Sequence, residues 1–317
     1  MPDTLDYFVL DVFTSQPLAG NQLAVVLNPG NLSDEMMQAI ARETNLSETT
    51  FIERRDPAIE QAEGIRVRIF TTEEELPFAG HPTLGTASLL RAIDPSVIAG
   101  DTIALALKVG RIPVRFESAQ AGTPEWPIRG QMTQRDPEFG EILDPVEVAR
   151  LTGLSVDDFD PARPIQVVST GSGFAIVPLR SASALTDLVV RQKEASAYLR
   201  PRGARWFYVL GPEAESTSTE SAALPQWRAR MQFNGGEDPA TGSAAGCAIS
   251  YLVHHGVVPS GQTIHLRQGV EILRPSDLFL SAEFTRFANP SSAFGDVTNV
   301  RVGGSTILVA KGQLFLP

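Results

Sequence analysis

Short apolar runs rich in β-branched and aromatic residues punctuate the first third of the chain and predict strands at 7–13 (YFVLDVF) and 22–27 (QLAVVL), joined by a turn holding Pro17, Gly20 and Asn21. The period then changes. Ser33 predicts the N-cap of a helix through residue 41, with Met36, Met37 and Ile40 at helical spacing and Thr44-Asn45 closing it. LSETTFIE (46–53) leads into another strand, and IRVRIF (65–70) alternates so that Arg66 and Arg68 face outward. The loop TTEEELPFAGHP enters a helix over about 83–93, with Arg91 near its negative end and Asp94-Pro95 as its stop. TIALALKVGRIPVRFE (102–117) predicts a hairpin pivoting on Gly110.

Residues 118–143 hold several Pro and Gly and no sustained period, which places a domain crossing there and gives domains at 1–130 and 131–317. The helix at 144–153 has every expected signal: Asp144 as N-cap, Pro145 in the first turn, Glu147 three residues on, and Gly153 past the end. Two strands follow around a Thr-Gly-Ser-Gly turn within 164–179, then a helical stretch at 185–198 and a strand at 205–211. The polar stretch 214–223 reads as a mobile loop, and Gly303-Gly304 suits a tight primed turn in the final hairpins. Each half thus repeats one order: strands, a Gly-bearing loop, an apolar helix, a hairpin.

The repetition reaches single residues. His81, Pro82, Gly85 and Thr86 line up with Asp238, Pro239, Gly242 and Ser243 at a constant offset (238−81 = 239−82 = 242−85 = 243−86 = 157), about half of 317. Both motifs open helices that carry small or apolar side chains all round, most clearly AAGCAISYLV (244–253). A helix with no polar face must be enclosed, so the economical picture is a helix plugged through each rolled sheet or barrel, with small residues permitting close approach. The N-terminus of such a helix presents bare N–H groups and a positive dipole end, a carboxylate or phosphate site that needs no Lys or Arg. A simpler meaning for Ala-Thr-Gly-Ser (240–243) is a helix cap supplied by Thr241 or Ser243; a second copy, preceded in register by a titratable residue, weighs against that.

Charge and composition narrow the partners. A net charge of −11 with no basic cluster disfavours nucleic acid and anionic membranes, while 43% hydrophobic and 20% charged residues fit an ordinary folded protein. An anionic substrate would need the local help that helix termini offer. The one cysteine, Cys247, leaves no intramolecular disulfide or Cys-rich zinc site and fits a reducing cytosol. No signal-peptide pattern and no bilayer-length apolar run are present, so a cytoplasmic protein is expected. No metal-ligand spacing, dinucleotide signature or serine-hydrolase elbow occurs, so no cofactor or metal is expected. The adjacent His254 and His255 sit where imidazole would complement a helix C-terminus, His265 stands alone in a strand, and Glu75 is close enough in sequence to His81 to order its turn.

FAGHPTLGTA and EDPATGSAAG, together with AGNQLAVV and LSETTFI, resemble the phenazine-biosynthesis PhzF family within the diaminopimelate-epimerase-like superfamily, in order across the whole chain. The resemblance implies an α/β (α+β) fold of two similar domains, each a sheet rolled around a central apolar helix, with the active site between them. It implies a cofactor-independent isomerase of a small carboxylic acid, in which Glu48 is the proton-transferring carboxylate. His81, Asp238 and Ser243 would position the substrate and assist proton transfer, Gly80 and Gly242 would lend backbone N–H groups, and the assembly would be a homodimer. A carboxyl group enclosed by apolar surroundings suits proton exchange near neutral pH. On residue type alone, Glu48 could equally be a turn carboxylate after Ser47, and His81 a buried, hydrogen-bonded imidazole. Leu273, before Arg274-Pro275-Ser276, departs from the family, where glycine is common.

Superfamily racemases and epimerases use two thiols, and the alignment puts Ala79 and Ala240 at those positions, which excludes two-thiol stereoinversion. A non-catalytic carboxylate-binding or scaffold protein on the same fold is the remaining alternative.

Overall fold

Two helices without a polar face have to be enclosed, and in the computed structural model of the protein strands do the enclosing. The structure describes residues 4–30, 32–117, 126–213, 224–233, 236–285 and 296–316. The polar loop expected at 214–223, and residues 118–125 of the expected crossing, lie outside these. The chain divides into two units, one of residues 1–133 with 303–317 and one of residues 134–302.

The first unit contains β1 (Thr4–Val12), β2 (Asn21–Leu27), β3 (Glu48–Glu53), β4 (Ile65–Phe70), β5 (Glu75–Leu76), β6 (Thr102–Leu107), β7 (Gly110–Phe116) and β8 (Ile128–Thr133). Its helices are α1 (Asp34–Thr44), α2 (Pro57–Glu63) and α3 (Gly80–Ile93). The strands run β1-β2-β3-β4-β6-β7-β8 and then the last strand of the chain, Asp296–Phe315, which pairs back onto β1 and closes an eight-strand barrel. β2–β3 and β4–β6 are parallel pairs, and the remaining registered pairs are antiparallel. Helix α3 packs against β1, β2, β3, β6, β7 and β8, and every residue from Gly80 to Arg91 is buried. Gly85 permits the approach: a Cβ there would stand 2.6 Å from Leu23 Cδ2 and 2.7 Å from Val12 Cγ2. The hydroxyls on this helix are satisfied inside the barrel, Thr86 by Thr50 at 2.9 Å and Ser88 by the Leu84 carbonyl at 2.8 Å.

Helix α3 begins at Gly80, earlier than the 83 expected from the sequence. Ala79 is an extended N-cap residue, and Pro82 falls in the first turn, where its missing N–H leaves no helical bond unmade. His81 therefore sits on the helix and not in the preceding loop. Helix α1 starts as expected, with Ser33 Oγ accepting from the Met36 N–H at 3.3 Å, and ends at a left-handed Asn45.

The second unit contains β9 (Glu138–Ile142), β10 (Gln166–Ser169), β11 (Gly173–Pro178), β12 (Trp206–Pro212), β13 (Gln226–Arg230), β14 (Gln232–Phe233), β15 (Gly236–Glu237), β16 (Ile264–Gln268), β17 (Ser276–Thr285) and the start of β18 (Asp296–Phe315), with α4 (Pro145–Thr152), α5 (Gln192–Leu199) and α6 (Gly242–His254). Its sheet runs β18-β17-β16-β13-β12-β11-β10-β9, and α6 packs against β10, β11 and β17 with Ala244 to Val253 buried. Helix α4 has the Asp144 and Gly153 caps that the sequence predicts.

Three expectations are corrected. The helix expected over 185–198 is broken: a 3-10 turn covers Ala182–Asp187, and α5 starts only at Gln192. Between them the N–H groups of Val189 and Arg191 bond to the Thr152 and Leu151 carbonyls at the end of α4, so the backbone is spent on tertiary partners. Gly303-Gly304 is no turn but lies inside β18, where a Cβ on Gly303 would stand 3.0 Å from the Gly130 carbonyl oxygen; close strand approach requires that glycine. Residues 303–317, placed with the second half from the sequence, cluster with the first unit. Among the described residues no helix is long and apolar enough to cross a membrane.

Candidate active site

In the first unit, three elements bring polar side chains to one place. Asn21 opens β2, Glu48 opens the adjoining β3 in register with Leu23, and His81 stands in the first turn of α3. Asn21 Nδ2 donates to His81 Nδ1 at 3.2 Å, which leaves the proton on Nε2; that N–H donates to the Gln22 carbonyl at 3.2 Å and lies 3.4 Å from Glu48 Oε2. The amide is held the right way round by Ser47, whose hydroxyl donates to Asn21 Oδ1 at 3.5 Å. Burial pushes the His81 pKa down to about 3, partly offset by the Gln22 carbonyl. His81 is therefore neutral at physiological pH and sits beside Glu48 without a net charge, its one N–H given to the Gln22 carbonyl. The Glu48 side chain remains 16% exposed, against 4% for His81.

Glu75 plays no part in this arrangement, contrary to the sequence expectation. It is bound by Arg68 at 2.8 Å and Lys108 at 2.6 Å, which hold its carboxyl below its usual pKa against the opposing effect of burial.

In the second unit, Asp238 follows β15, and Thr241 is the N-cap residue of α6. Thr241 makes no side-chain cap; its hydroxyl donates to Asp238 Oδ2 at 2.7 Å. The capping meaning of Ala-Thr-Gly-Ser thus fails for Thr241, and α3 likewise starts without a side-chain cap. Gly80 and Gly242 are buried as the first residues of their helices, and Ser243 is partly exposed. Gln268, buried at the end of β16, donates from Nε2 to the Asp238 carbonyl at 2.8 Å and to Thr241 Oγ1 at 3.0 Å.

The remaining candidates have structural partners. His254 stacks on Phe139 with centroids 4.1 Å apart, and His255 meets Tyr251 at 4.4 Å. Burial lowers both pKa values, that of His255 to about 4, so neither imidazole is the cation expected to complement the helix end. His265 is not alone, since Gln226 and Asp277 flank its ring at 2.5 and 2.8 Å. Cys247 is buried, and burial pushes its thiol up to about 11. Among the described residues no three His, Cys, Asp or Glu side chains gather where they could hold a metal ion.

Sequence reasoning named Glu48, His81 and Asp238 but not the residues that hold them: Asn21, Thr241 and Gln268. Asn21 and Thr241 lie inside the quoted motifs and were readable there as side chains next to a titratable one. Gln268 is 268−238 = 30 residues from Asp238, and no local pattern marks it.

A family model described as phenazine biosynthesis-like protein matches residues 10–312. A trans-2,3-dihydro-3-hydroxyanthranilate isomerase of Pseudomonas aeruginosa is 34% identical over 313 residues, which cover 98% of this chain and 99% of that relative. Among solved structures, a protein described as a predicted epimerase of Pseudomonas aeruginosa aligns with a TM-score of 0.77 at 33% identity, covering 99% of this chain and 100% of the other. A PhzF-family protein of Bacillus anthracis aligns with a TM-score of 0.79 at 23% identity and the same coverage, a likeness of fold alone.

Proposed function

The chain belongs to the phenazine biosynthesis-like family, and from that premise we propose that it is a cofactor-independent isomerase of a small carboxylic acid, acting by carboxylate-mediated proton transfer on a compound similar to trans-2,3-dihydro-3-hydroxyanthranilate. Glu48 takes a proton from an activated C–H and returns it to another carbon of the conjugated system, so the double bonds move while composition and charge are conserved. The observation that carries this reading is the neutral His81 beside Glu48, its Nε2 3.4 Å from the carboxylate oxygen. A neutral imidazole at this distance adds neither a charge that would hold the carboxylate ionised nor a competing acidic proton. Asp238 and Ser243 serve substrate positioning, and Gly80 and Gly242, at helix starts without side-chain caps, present backbone N–H groups of the kind that receive a carboxylate. Two-thiol chemistry has no support, because alanine stands at 79 and 240 and the one thiol is buried.

The test is turnover of trans-2,3-dihydro-3-hydroxyanthranilate in deuterium oxide by the unaltered protein and by Glu48→Gln. The unaltered protein should place solvent deuterium in the product, and the variant should lose at least about a hundredfold in kcat, the usual range for a general acid–base group. Undiminished turnover by a folded Glu48→Gln protein sinks the assignment. Thermal stabilisation by the compound without turnover would favour the binding-protein alternative.

A further inference from the structure

Asp238 stands at the end of a chain of buried donors that all point the same way. Tyr208 on β12, fully buried, donates its hydroxyl to Gln268 Oε1 at 2.9 Å, and the Thr241 N–H donates to the same oxygen at 3.1 Å. Both acceptor positions of the Gln268 oxygen are thereby used, which fixes the orientation of the amide. Its Nε2 then donates to the Asp238 carbonyl and to Thr241 Oγ1, so the Thr241 hydroxyl accepts on one side and its own hydrogen goes to Asp238 Oδ2. Reversing any one member would leave two donors or two acceptors facing each other in a buried setting.

We propose that Gln268 is the positioning residue of Asp238: through Thr241 it commits one carboxylate oxygen, Oδ2, to accepting a hydrogen bond and so fixes the orientation in which Asp238 meets its substrate. The role of Asp238 itself rests on the isomerase reading above. The surroundings fit this arrangement. Burial, and after it the charge of Asp238, raises the Tyr208 pKa well above its ordinary value, so Tyr208 stays an O–H donor. Neighbouring Glu237 is gripped at both oxygens by Arg230, at 2.9 and 2.5 Å, and Asp238 N–H donates to the Met231 carbonyl at 3.0 Å. Glu237 is thus neutralised by its own partner. Gly269, directly after Gln268, has φ +75° and packs so tightly that a Cβ would stand 2.6 Å from the Pro239 carbonyl oxygen. The turn after β16 is therefore braced against the residue after Asp238.

The test reads the carboxylate directly. The side-chain carbon of Asp238 is titrated in protein labelled with carbon-13 at aspartate, its signal identified by loss in Asp238→Asn. A hydrogen bond to the charged form lowers a carboxyl pKa, so removing the donor with Thr241→Val should raise the midpoint by about one pH unit or more. Gln268→Met should raise it less, Tyr208→Phe least, and Thr241→Ser should restore the wild-type value. A purely structural role would lower melting temperatures without this graded order. Should the first two variants fail to fold, Tyr208→Phe, which loses one hydroxyl, decides by the sign of its shift. Midpoints that stay at the wild-type value in the folded variants overturn the proposal. The titration needs no substrate, so failure of the isomerase reading leaves it readable, and an unmoved midpoint leaves the role of Glu48 untouched.

Discussion

Leu273 holds a backbone φ of +61° and exposes 84% of its surface, so it bears the cost of a left-handed conformation with little packing in return. That conformation costs an ordinary residue about 1–2 kcal/mol, and glycine returns about 0.5–1 kcal/mol of it through its looser unfolded chain. Leu273→Gly should therefore stabilise the protein by about 0.5–1 kcal/mol, read as a higher urea midpoint at unchanged slope. A lower midpoint would show that the leucine side chain contributes a contact of its own. The family resemblance already points at this residue, because it implies glycine there. Glu48, His81 and Asp238 are singled out by the same resemblance, because their motifs are local, whereas residue type alone leaves Glu48 a turn carboxylate and His81 a buried imidazole. The protonation of His81 was not readable, since it depends on Asn21 holding Nδ1 and on complete enclosure in the barrel. Gln268 was not readable either, because a glutamine at a strand end acquires meaning only from the Asp238 and Tyr208 that the fold brings to it.

Helices without a polar face were the most legible elements, for enclosure is the one physical outcome open to them, and α3 and α6 are both buried. Their small residues mark contact distance, which makes Gly246 a test of how tightly α6 is set. A Cβ at 246 would stand 2.0 Å from Gln134 Oε1, and that amide is already held by the Thr170 hydroxyl at 2.6 Å and by its own bond to the Gly242 carbonyl at 2.8 Å. Alanine favours a helix over glycine by about 1 kcal/mol, but overpacking costs about 1–3 kcal/mol and each buried hydrogen bond left unmade about as much again. Gly246→Ala should thus destabilise by about 2 kcal/mol in denaturant unfolding, and Gln134→Ala in the same chain should recover part of that loss. Strict additivity of the two changes would deny the contact. Boundaries were less legible than types: the stretch 185–198 has helical composition throughout, yet Val189 and Arg191 give their N–H groups to the end of α4. Local preference lost there to a tertiary hydrogen bond that no window of sequence contains.

The closure of the first unit depends on a strand encoded nearly 300 residues after its partner. Val12 pairs with Thr306 and Thr4 with Phe315, antiparallel, so the end of β18 lies beside the start of β1. Alternation along 296–315 reads alike whichever sheet the strand joins, and for that reason the sequence put it with the second half. Residues 4–133 alone would present β1 and β8 as open edges and leave Ser88 without its bond to Thr306, 3.2 Å away. The adjacency of Phe315 and Thr4 offers the repair. A single chain of residues 303–316, an Asn-Gly turn and residues 4–133 would convert the closing pair into a hairpin. That chain should melt in one cooperative transition by circular dichroism, whereas 4–133 should melt broadly or aggregate. Cooperative unfolding of 4–133 without the strand would show that α3 is held by seven strands as well as by eight, and that the barrel's closure is not what stabilises the unit carrying Glu48 and His81.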